Sequence, residues 1–239
     1  MLKAGLYLLF LSSVICRGQV LVGNLSNSLA GQWELNGNGY DLSPAGNKFF
    51  FSGTQFAQDR FGIEGNALKI VTTQNDRVNA ITQNNFTIVG NSDRTISFWC
   101  KFSEMGYRPS SYTSVGVEWG KQFGFTGIWG QHSSLSQEST GFIFFWGDWA
   151  DLGAHDTISP RYDAWRMITL SYNGSLGLEQ SAIFVNGVQV PLDLPRDGPQ
   201  GNYLDTVATN LEITGFSGDY IDSIAIWNRA LSPTTPCRG

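Results

Sequence analysis

The sequence predicts an all-β protein, a two-sheet antiparallel β-sandwich with very little helix, and three observations favour this fold class. Apolar residues recur with the two-residue period of β-strands, whereas no long segment has the 3.6-residue period of a helix. Asn-Gly and similar turn sequences separate the alternating segments. Only 15% of the residues are charged, 13% are aromatic and 28 are glycine, which is typical of short strands joined by tight turns.

The alternation is clearest in residues 94–102, where four residues share one predicted face: Ile96, Phe98, Cys100 and Phe102. Segments 165–172 and 221–227 alternate in the same way. Further strands are predicted at residues 29–35, 48–52, 66–71, 141–146, 181–185 and 211–214. Asn186-Gly187 stands between two apolar runs and predicts a tight β-hairpin.

The first eighteen residues have a different pattern from the rest. Lys3 precedes an apolar run over residues 6–16, and Gly18 supplies a small residue before the expected cleavage point. This pattern predicts a secretory signal peptide over residues 1–18. An N-terminal anchor is the alternative, but the run is shorter than the ~20 apolar residues that span a bilayer. We therefore expect one secreted, extracellular domain over residues 19–239, with no membrane insertion after cleavage.

Secretion determines how the cysteines are interpreted. After cleavage only Cys100 and Cys237 remain, and an oxidising compartment favours a disulfide between them. The alternative is that Cys100 is an ordinary buried thiol, because it alternates with apolar residues. Three Asn-x-Ser/Thr sequons, at Asn24, Asn85 and Asn173, predict surface N-glycosylation in a host that glycosylates secreted proteins.

A family resemblance covers nearly the whole predicted mature chain. It rests on four stretches in order: LAGQWELNGNGYDLS at residues 29–43, DRFGIEGNAL at 59–68, WRMITLSYNG followed by IFVNG at 165–187, and IDSIAIWNRALS at 221–232. Together they resemble the laminin-G-like branch of the concanavalin-A-like lectin and glucanase superfamily. The resemblance implies a jelly roll with one concave and one convex sheet. It implies function only loosely, because this fold carries lectins, adhesion modules, pentraxins and polysaccharide-cleaving enzymes.

The resemblance also implies one structural calcium ion. Relatives hold such an ion between the Asp that follows the first strand and an Asp of the closing strand, and Asp41 and Asp222 match these two positions. Calcium takes six to eight oxygen ligands, so backbone carbonyls near residues 36–39 would have to complete the shell. The alternative is that Asp41 caps its own turn through backbone hydrogen bonds.

Motifs for catalysis are scarce. Glucanases of this fold carry a Glu-x-Asp-x-Glu strand, and no such triplet occurs here, since the glutamates, Glu118 and Glu212 among them, are isolated along the sequence. The zinc patterns His-x-x-x-His and Cys-x-x-Cys and the nucleophile pattern Gly-x-Ser-x-Gly are absent too. The sequence thus predicts a non-catalytic protein. A polysaccharide-active enzyme, glycosidase or lyase, remains an alternative, and it predicts two acids facing each other in a groove.

The main functional hypothesis is a recognition module that binds carbohydrate, with protein adhesion in the extracellular matrix as the alternative. Sugar rings stack on exposed aromatic side chains, and five candidates lie in predicted loops: Trp119, Trp129, Trp149, Tyr107 and Tyr112. Most tryptophans of a sandwich are buried, so we expect one or two of the five to face solvent. A net charge of -5 gives no electrostatic reason to bind nucleic acid. The expected partners are a glycan or an extracellular protein.

Overall fold

The computed structural model describes residues 25–71, 78–102, 114–121, 124–131, 142–147, 150–155, 163–193, 204–215 and 217–232. Within these residues the chain forms two antiparallel sheets of eight strands each and one short 3-10 helix at Leu178–Gln180. The predicted all-β, two-sheet antiparallel sandwich with very little helix is therefore confirmed. No helix among the described residues has the length and apolar character needed to cross a membrane.

The first sheet has the strand order β13-β12-β11-β6-β16-β4-β3, and β1 also pairs with β16. Its strands are β1 (Leu29–Trp33), β3 (Thr54–Ala57), β4 (Ala67–Ile70), β6 (Arg94–Lys101), β11 (Arg166–Tyr172), β12 (Ala182–Val185), β13 (Val188–Val190) and β16 (Tyr220–Trp227). The long strands β6, β11 and β16 lie side by side at its centre, so the face they present to solvent is broad.

The second sheet has the strand order β14-β10-β9-β8-β7-β15-β5-β2. Its strands are β2 (Phe49–Phe51), β5 (Val78–Phe86), β7 (Ser114–Lys121), β8 (Gly124–Gln131), β9 (Phe142–Gly147), β10 (Ala150–His155), β14 (Leu192–Asp193) and β15 (Thr209–Thr214). Six of the sixteen strands were not predicted from the sequence: β3, β5, β7, β8, β10 and β14.

The core contains side chains from both sheets. The four residues predicted to share a face in segment 94–102 are all buried, which confirms that alternation. Across from them, β7 contributes Val115, Val117 and Trp119 to the same apolar cluster. Burial of a large apolar side chain stabilises the fold by about 1.5–3 kcal/mol. Because the inward positions are occupied by the core, the outward positions of each sheet are the ones available for a ligand.

The predicted hairpin at Asn186-Gly187 is confirmed. β12 and β13 pair through Val185 and Val188, and both turn residues have positive φ, 50° at Asn186 and 79° at Gly187. Two consecutive positive φ angles define the type I′ turn, whose twist matches that of the flanking strands. The Asn186 side chain accepts a hydrogen bond from the Met167 amide at 2.9 Å, which ties the turn to β11.

A bulge in β16 changes the alternation predicted for residues 221–227. The register with β6 shifts between Asp222 and Ala225, and Ser223 has a φ of 49°. As a result Ile221 and Ile224 both lie in the core, although simple alternation places them on opposite faces. The prediction that Ile224 shares a face with Asp222 is wrong because the bulge inserts an extra residue. Asp222 comes just before the bulge and lies beside Trp99, on the outward face of the first sheet.

Candidate functional site

The outer face of the first sheet is covered at one end and open at the other. At the covered end Thr95 donates a hydrogen bond to the carbonyl of Arg229 at 2.9 Å and accepts one from the amide of Leu231 at 2.9 Å. Ser171, paired with Thr95 across the sheet, donates to the carbonyl of Leu231 at 2.7 Å. The chain after β16 therefore lies over this end. Farther along β6, Trp99 and Lys101 are partly exposed.

The open end carries a group of side chains that we call the lysine–aromatic patch, made of Lys69, Trp99, Lys101, Trp165 and Tyr220. Tyr220 on β16 pairs with Lys69 on one side and with Lys101 on the other. The Lys101 ammonium lies 4.1 Å from the ring centroid of Tyr220 and 5.4 Å from that of Trp165. The Lys69 ammonium lies 5.4 Å from the Tyr220 centroid. These distances are those of cation–π contacts, which orient the flexible lysine side chains.

The two rings at the centre of the patch also hold each other in place. The centroids of Trp165 and Tyr220 are 6.1 Å apart, with an interplanar angle of 69°. This edge-to-face arrangement is a favourable geometry for aromatic pairs. All five residues of the patch are partly exposed, so solvent reaches both the rings and the ammonium groups.

A buried ion pair borders the patch. The guanidinium of Arg60 donates hydrogen bonds to the carboxylate of Asp222 and, at 3.2 Å, to the hydroxyl of Ser223. It also lies 4.9 Å from the ring centroid of Trp99 and 4.6 Å from that of Phe61. The Asp222 side chain is 0% exposed, and burial raises its pKa to about 7, while the Arg60 charge acts in the opposite direction. Arg60 is thus committed to Asp222 and packs against Trp99.

The two lysines of the patch differ from Arg60 in their ion pairing. In the part of the chain that the structure describes, the salt bridge between Arg60 and Asp222 is the single one found, so neither Lys69 nor Lys101 is paired with a described carboxylate. The positive charge of the patch is therefore available to a ligand.

The outer face of the second sheet has different chemistry. The cross-strand register aligns Phe50 with Ile81, Ile81 with Glu212, and Glu212 with Glu118. We call these four residues the carboxylate row. Phe50 and Ile81 are 51% and 38% exposed, whereas Glu118 is largely buried and burial raises the pKa of Glu212. The sequence predicts that the two glutamates are isolated from each other. This prediction is wrong, because β7 and β15 pair and bring them side by side.

The structure places the predicted aromatic residues in three different situations. Trp119 lies in the core at 1% exposure, and its indole N–H donates to the Ile88 carbonyl at 2.8 Å. Its predicted role as a ligand-binding surface residue is therefore corrected, because the alternation of β7 points it inward with Val115 and Val117. Trp129 belongs to β8, and its side chain lies outside what the structure describes, so its role stays a prediction. The other three candidates, Tyr107, Tyr112 and Trp149, lie outside the described residues and stay predictions.

The surroundings of Asp41 and Asp222 do not fit the calcium ion implied by the family resemblance. The Asp41 carboxylate accepts hydrogen bonds from the amides of Gln32 at 2.9 Å, Ser43 at 2.8 Å and Asn47 at 2.8 Å, as the turn-capping alternative expects. Asp222 faces the Arg60 guanidinium, which would repel a cation. Among the described residues no three His, Cys, Asp or Glu side chains form a group able to hold a metal ion.

The remaining predictions concern covalent features. Cys100 is buried on the inward face of β6, and its predicted partner Cys237 lies outside the described residues, so the disulfide stays a prediction. Asn85 is exposed on β5, and Asn173 is half-buried in a turn where its side chain accepts a hydrogen bond from the Ser175 amide at 2.9 Å. The sequon at Asn24 and the signal peptide over residues 1–18 also lie outside the described residues.

Comparison with known proteins defines the fold class. No protein-family model matches the chain, and no curated protein sequence matches it. Among solved structures, the binding domain of botulinum neurotoxin serotype D is similar, with a TM-score of 0.56 and 12% identity over 88% of this chain and 50% of that one. The binding domain of botulinum neurotoxin DC in complex with rat synaptotagmin II has a TM-score of 0.62 and 13% identity over 87% and 50% of the two chains.

A sialidase from Trypanosoma rangeli, in complex with 2,3-difluorosialic acid, is similar as well, with a TM-score of 0.55 and 13% identity over 86% of this chain and 31% of that one. The chain thus spans half or less of the length of these proteins. At such low identity the likeness shows the fold alone. The protein belongs structurally to the β-sandwich class that includes these domains, and the laminin-G-like branch remains a resemblance.

Proposed function

We propose that the protein is a secreted, non-catalytic recognition module that binds carbohydrate on the lysine–aromatic patch. The observation that carries this proposal is the presence of partly exposed aromatic rings at the open end of one sheet face, beside two lysines that pair with no described carboxylate. The apolar C–H face of a sugar ring packs on a ring such as Trp165, while an ammonium group donates hydrogen bonds to sugar oxygens.

The structural neighbours support the class of ligand, although not its position. Cell entry of botulinum neurotoxin type C is dependent upon interaction with two ganglioside molecules, and the binding domain of neurotoxin DC has been solved in complex with SialylT. The sialidase structure contains a sialic acid derivative. Those ligands belong to those proteins, and they support carbohydrate as the first ligand class to test here. Secretion rests on the predicted signal peptide.

A glycan screen of the purified protein tests the proposal, with Trp165→Ala as the patch variant. We expect selective glycan binding by the wild type and a loss of at least ten-fold in affinity for Trp165→Ala, because the stacking platform is removed. Tyr40→Ala is the matched control: Tyr40 is another exposed aromatic under a lysine, with the Lys48 ammonium 4.9 Å from its ring centroid, and it lies outside the patch. A folded wild type that binds no glycan, or equal losses in both variants, would contradict the proposal.

One observation favours a second candidate function, glycoside cleavage. Glu118 and Glu212 lie directly opposite each other on paired strands, which places their Cβ atoms about 4.5–5.5 Å apart. Retaining glycosidases hold two carboxyl groups about 5–5.5 Å apart, a separation that glutamate side chains attached this close together can reach. The raised pKa of Glu212 suits a proton donor. Release of new reducing ends from a polysaccharide by the wild type, abolished by Glu118→Gln and by Glu212→Gln, would establish this function and remove the non-catalytic assignment.

A further inference from the structure

Two lysines converge on one tyrosine from neighbouring strands. Lys69, Tyr220 and Lys101 are directly aligned across β4, β16 and β6. The Lys101 and Lys69 ammonium groups lie 4.1 and 5.4 Å from the Tyr220 ring centroid, so both contact the same ring. Two like charges held at one ring repel each other, and an added opposite charge relieves that repulsion. Their convergence therefore creates a local preference for an anion.

The rest of the described structure does not supply that anion. The protein has 20 acidic and 15 basic residues, so carboxylates are plentiful. Within the described residues, however, the one salt bridge joins Asp222 to Arg60 and not to either lysine. Asp222 is buried beneath Arg60 and is directly aligned with Trp99, one alternation away from Lys101 along β6. The two lysines thus present positive charge to solvent on a protein whose net charge is -5.

Aromatic side chains accompany this charge on the same face. Trp165 lies beside Lys101, and its ring meets that of Tyr220 edge to face. An inorganic anion gains little from contact with an apolar ring. A sugar that carries a carboxylate or a sulfate uses both features, since its ring stacks on an aromatic face and its anionic group accepts charge-assisted hydrogen bonds from ammonium groups.

We infer that the ligand of the patch is an acidic glycan, whose sugar ring packs against Trp165 and whose carboxylate or sulfate binds the lysine ammonium groups beside the Tyr220 ring. This inference rests on the proposed function and narrows it to one class of sugar. Arg60 does not hold the anion, because its guanidinium is committed to Asp222; it supports the neighbouring ring of Trp99. Net repulsion between an acidic protein and an acidic glycan is overcome locally, within about the 8–10 Å screening length at physiological salt.

The test is an array that prints sialylated, uronate-containing and sulfated glycans, each beside its neutral parent. We expect the wild type to bind acidic members at least ten-fold more tightly than their parents, and this preference to fall when salt is raised from 50 to 300 mM. Comparing the sialylated and uronate-containing glycans with the sulfated ones shows whether the patch prefers a carboxylate or a sulfate. Lys69→Gln and Lys101→Gln should each reduce the preference, the double variant should remove it, and Lys101→Arg should retain most of it.

Lys48→Gln is the matched control, because Lys48 also lies over aromatic rings, those of Tyr40 and Phe50, but outside the patch. It should leave the preference unchanged. Equal binding of acidic glycans and their neutral parents would overturn this inference and leave glycan binding intact. A wild type that binds no glycan would overturn both. Binding of a polyglutamate peptide as tight as that of the best glycan, insensitive to Trp165→Ala, would identify a general anion site and also overturn the inference.

Discussion

The two outer faces of the sandwich differ in the charged side chains that each presents. The first sheet presents the lysine–aromatic patch, where Lys69 and Lys101 flank Tyr220. The second presents the carboxylate row, where Glu118 and Glu212 lie side by side. The inward faces of both sheets, in contrast, are alike, since both supply apolar side chains to one core. The same alternation builds both sheets, so their functional difference comes entirely from the outward positions.

This difference also separates two kinds of chemistry. Ammonium groups and aromatic rings hold a ligand by charge and stacking, which suits recognition. Paired carboxyl groups favour acid–base work, and burial raises the pKa of Glu212. Substitutions on the two outer faces therefore decide between a binding module and an enzyme. Their interpretation requires that the inward and outward positions are assigned correctly.

The largest expected effect tests that assignment by comparing two tryptophans. Trp119 is an inward residue at 1% exposure and Trp165 an outward one that is partly exposed. Trp119→Ala should lower the free energy of unfolding by about 3–5 kcal/mol, the usual result of truncating a buried aromatic. Trp165→Ala should lower it by about 1.5 kcal/mol or less, because less of its surface is buried. Urea denaturation measures both, and comparable losses would show that Trp165 is a core residue rather than a ligand platform.

A second effect concerns the buried acid beside the patch. The pKa of Asp222 is raised from 3.8 to about 7, so between these values the folded state binds one proton more than the unfolded state. Stability from this residue is therefore greatest below pH 4 and falls as the pH rises towards 7, by at most about 4 kcal/mol. Asp222→Asn should flatten the slope over this window in denaturation measured at several pH values.

The control for that slope is the exposed Asp205. Asp205→Asn makes the same chemical change at an exposed position, so a flattening specific to Asp222→Asn supports the effect of burial. A wild type whose stability is level from pH 4 to 7 would mean that the attraction of Arg60 offsets the effect of burial on Asp222. In that case Arg60 and Asp222 both stay charged from pH 4 to 7. The ion pair then supports Trp99 at every pH used in the glycan experiments.

Strict alternation made part of the fold predictable. The inward face of β6 and the hairpin at Asn186-Gly187 were both predicted because one follows a two-residue period and the other has a turn sequence. β5 and β7 were missed, since β5 is rich in polar residues and β7 contains glycines that weaken a strand pattern. The bulge at Ser223 was missed because serine carries no sequence signal for a positive φ.

The candidate site was less predictable than the fold. The residues of the patch come from four distant parts of the chain and meet only because β4, β16, β6 and β11 are consecutive in the sheet, an order that alternation does not contain. One signal was present, since Trp99 and Lys101 occupy the face of β6 opposite the core. The alternation of Val115 and Val117 with Trp119 also indicated that Trp119 points inward, although Trp119 was assigned to a predicted loop.

The smallest expected effect comes from the apolar end of the carboxylate row. Phe50 and Ile81 are exposed and paired across the edge of the second sheet, so Phe50→Thr should change the free energy of unfolding by less than about 1 kcal/mol. It should also leave glycan affinity unchanged, since the proposed ligand lies on the other sheet. Denaturation and titration with the best glycan from the array check the two parts. A ten-fold loss of affinity in Phe50→Thr, with Trp165→Ala unaffected, would place the glycan on the second sheet, where Glu118 and Glu212 would lie against it and the protein would have to be tested as an enzyme.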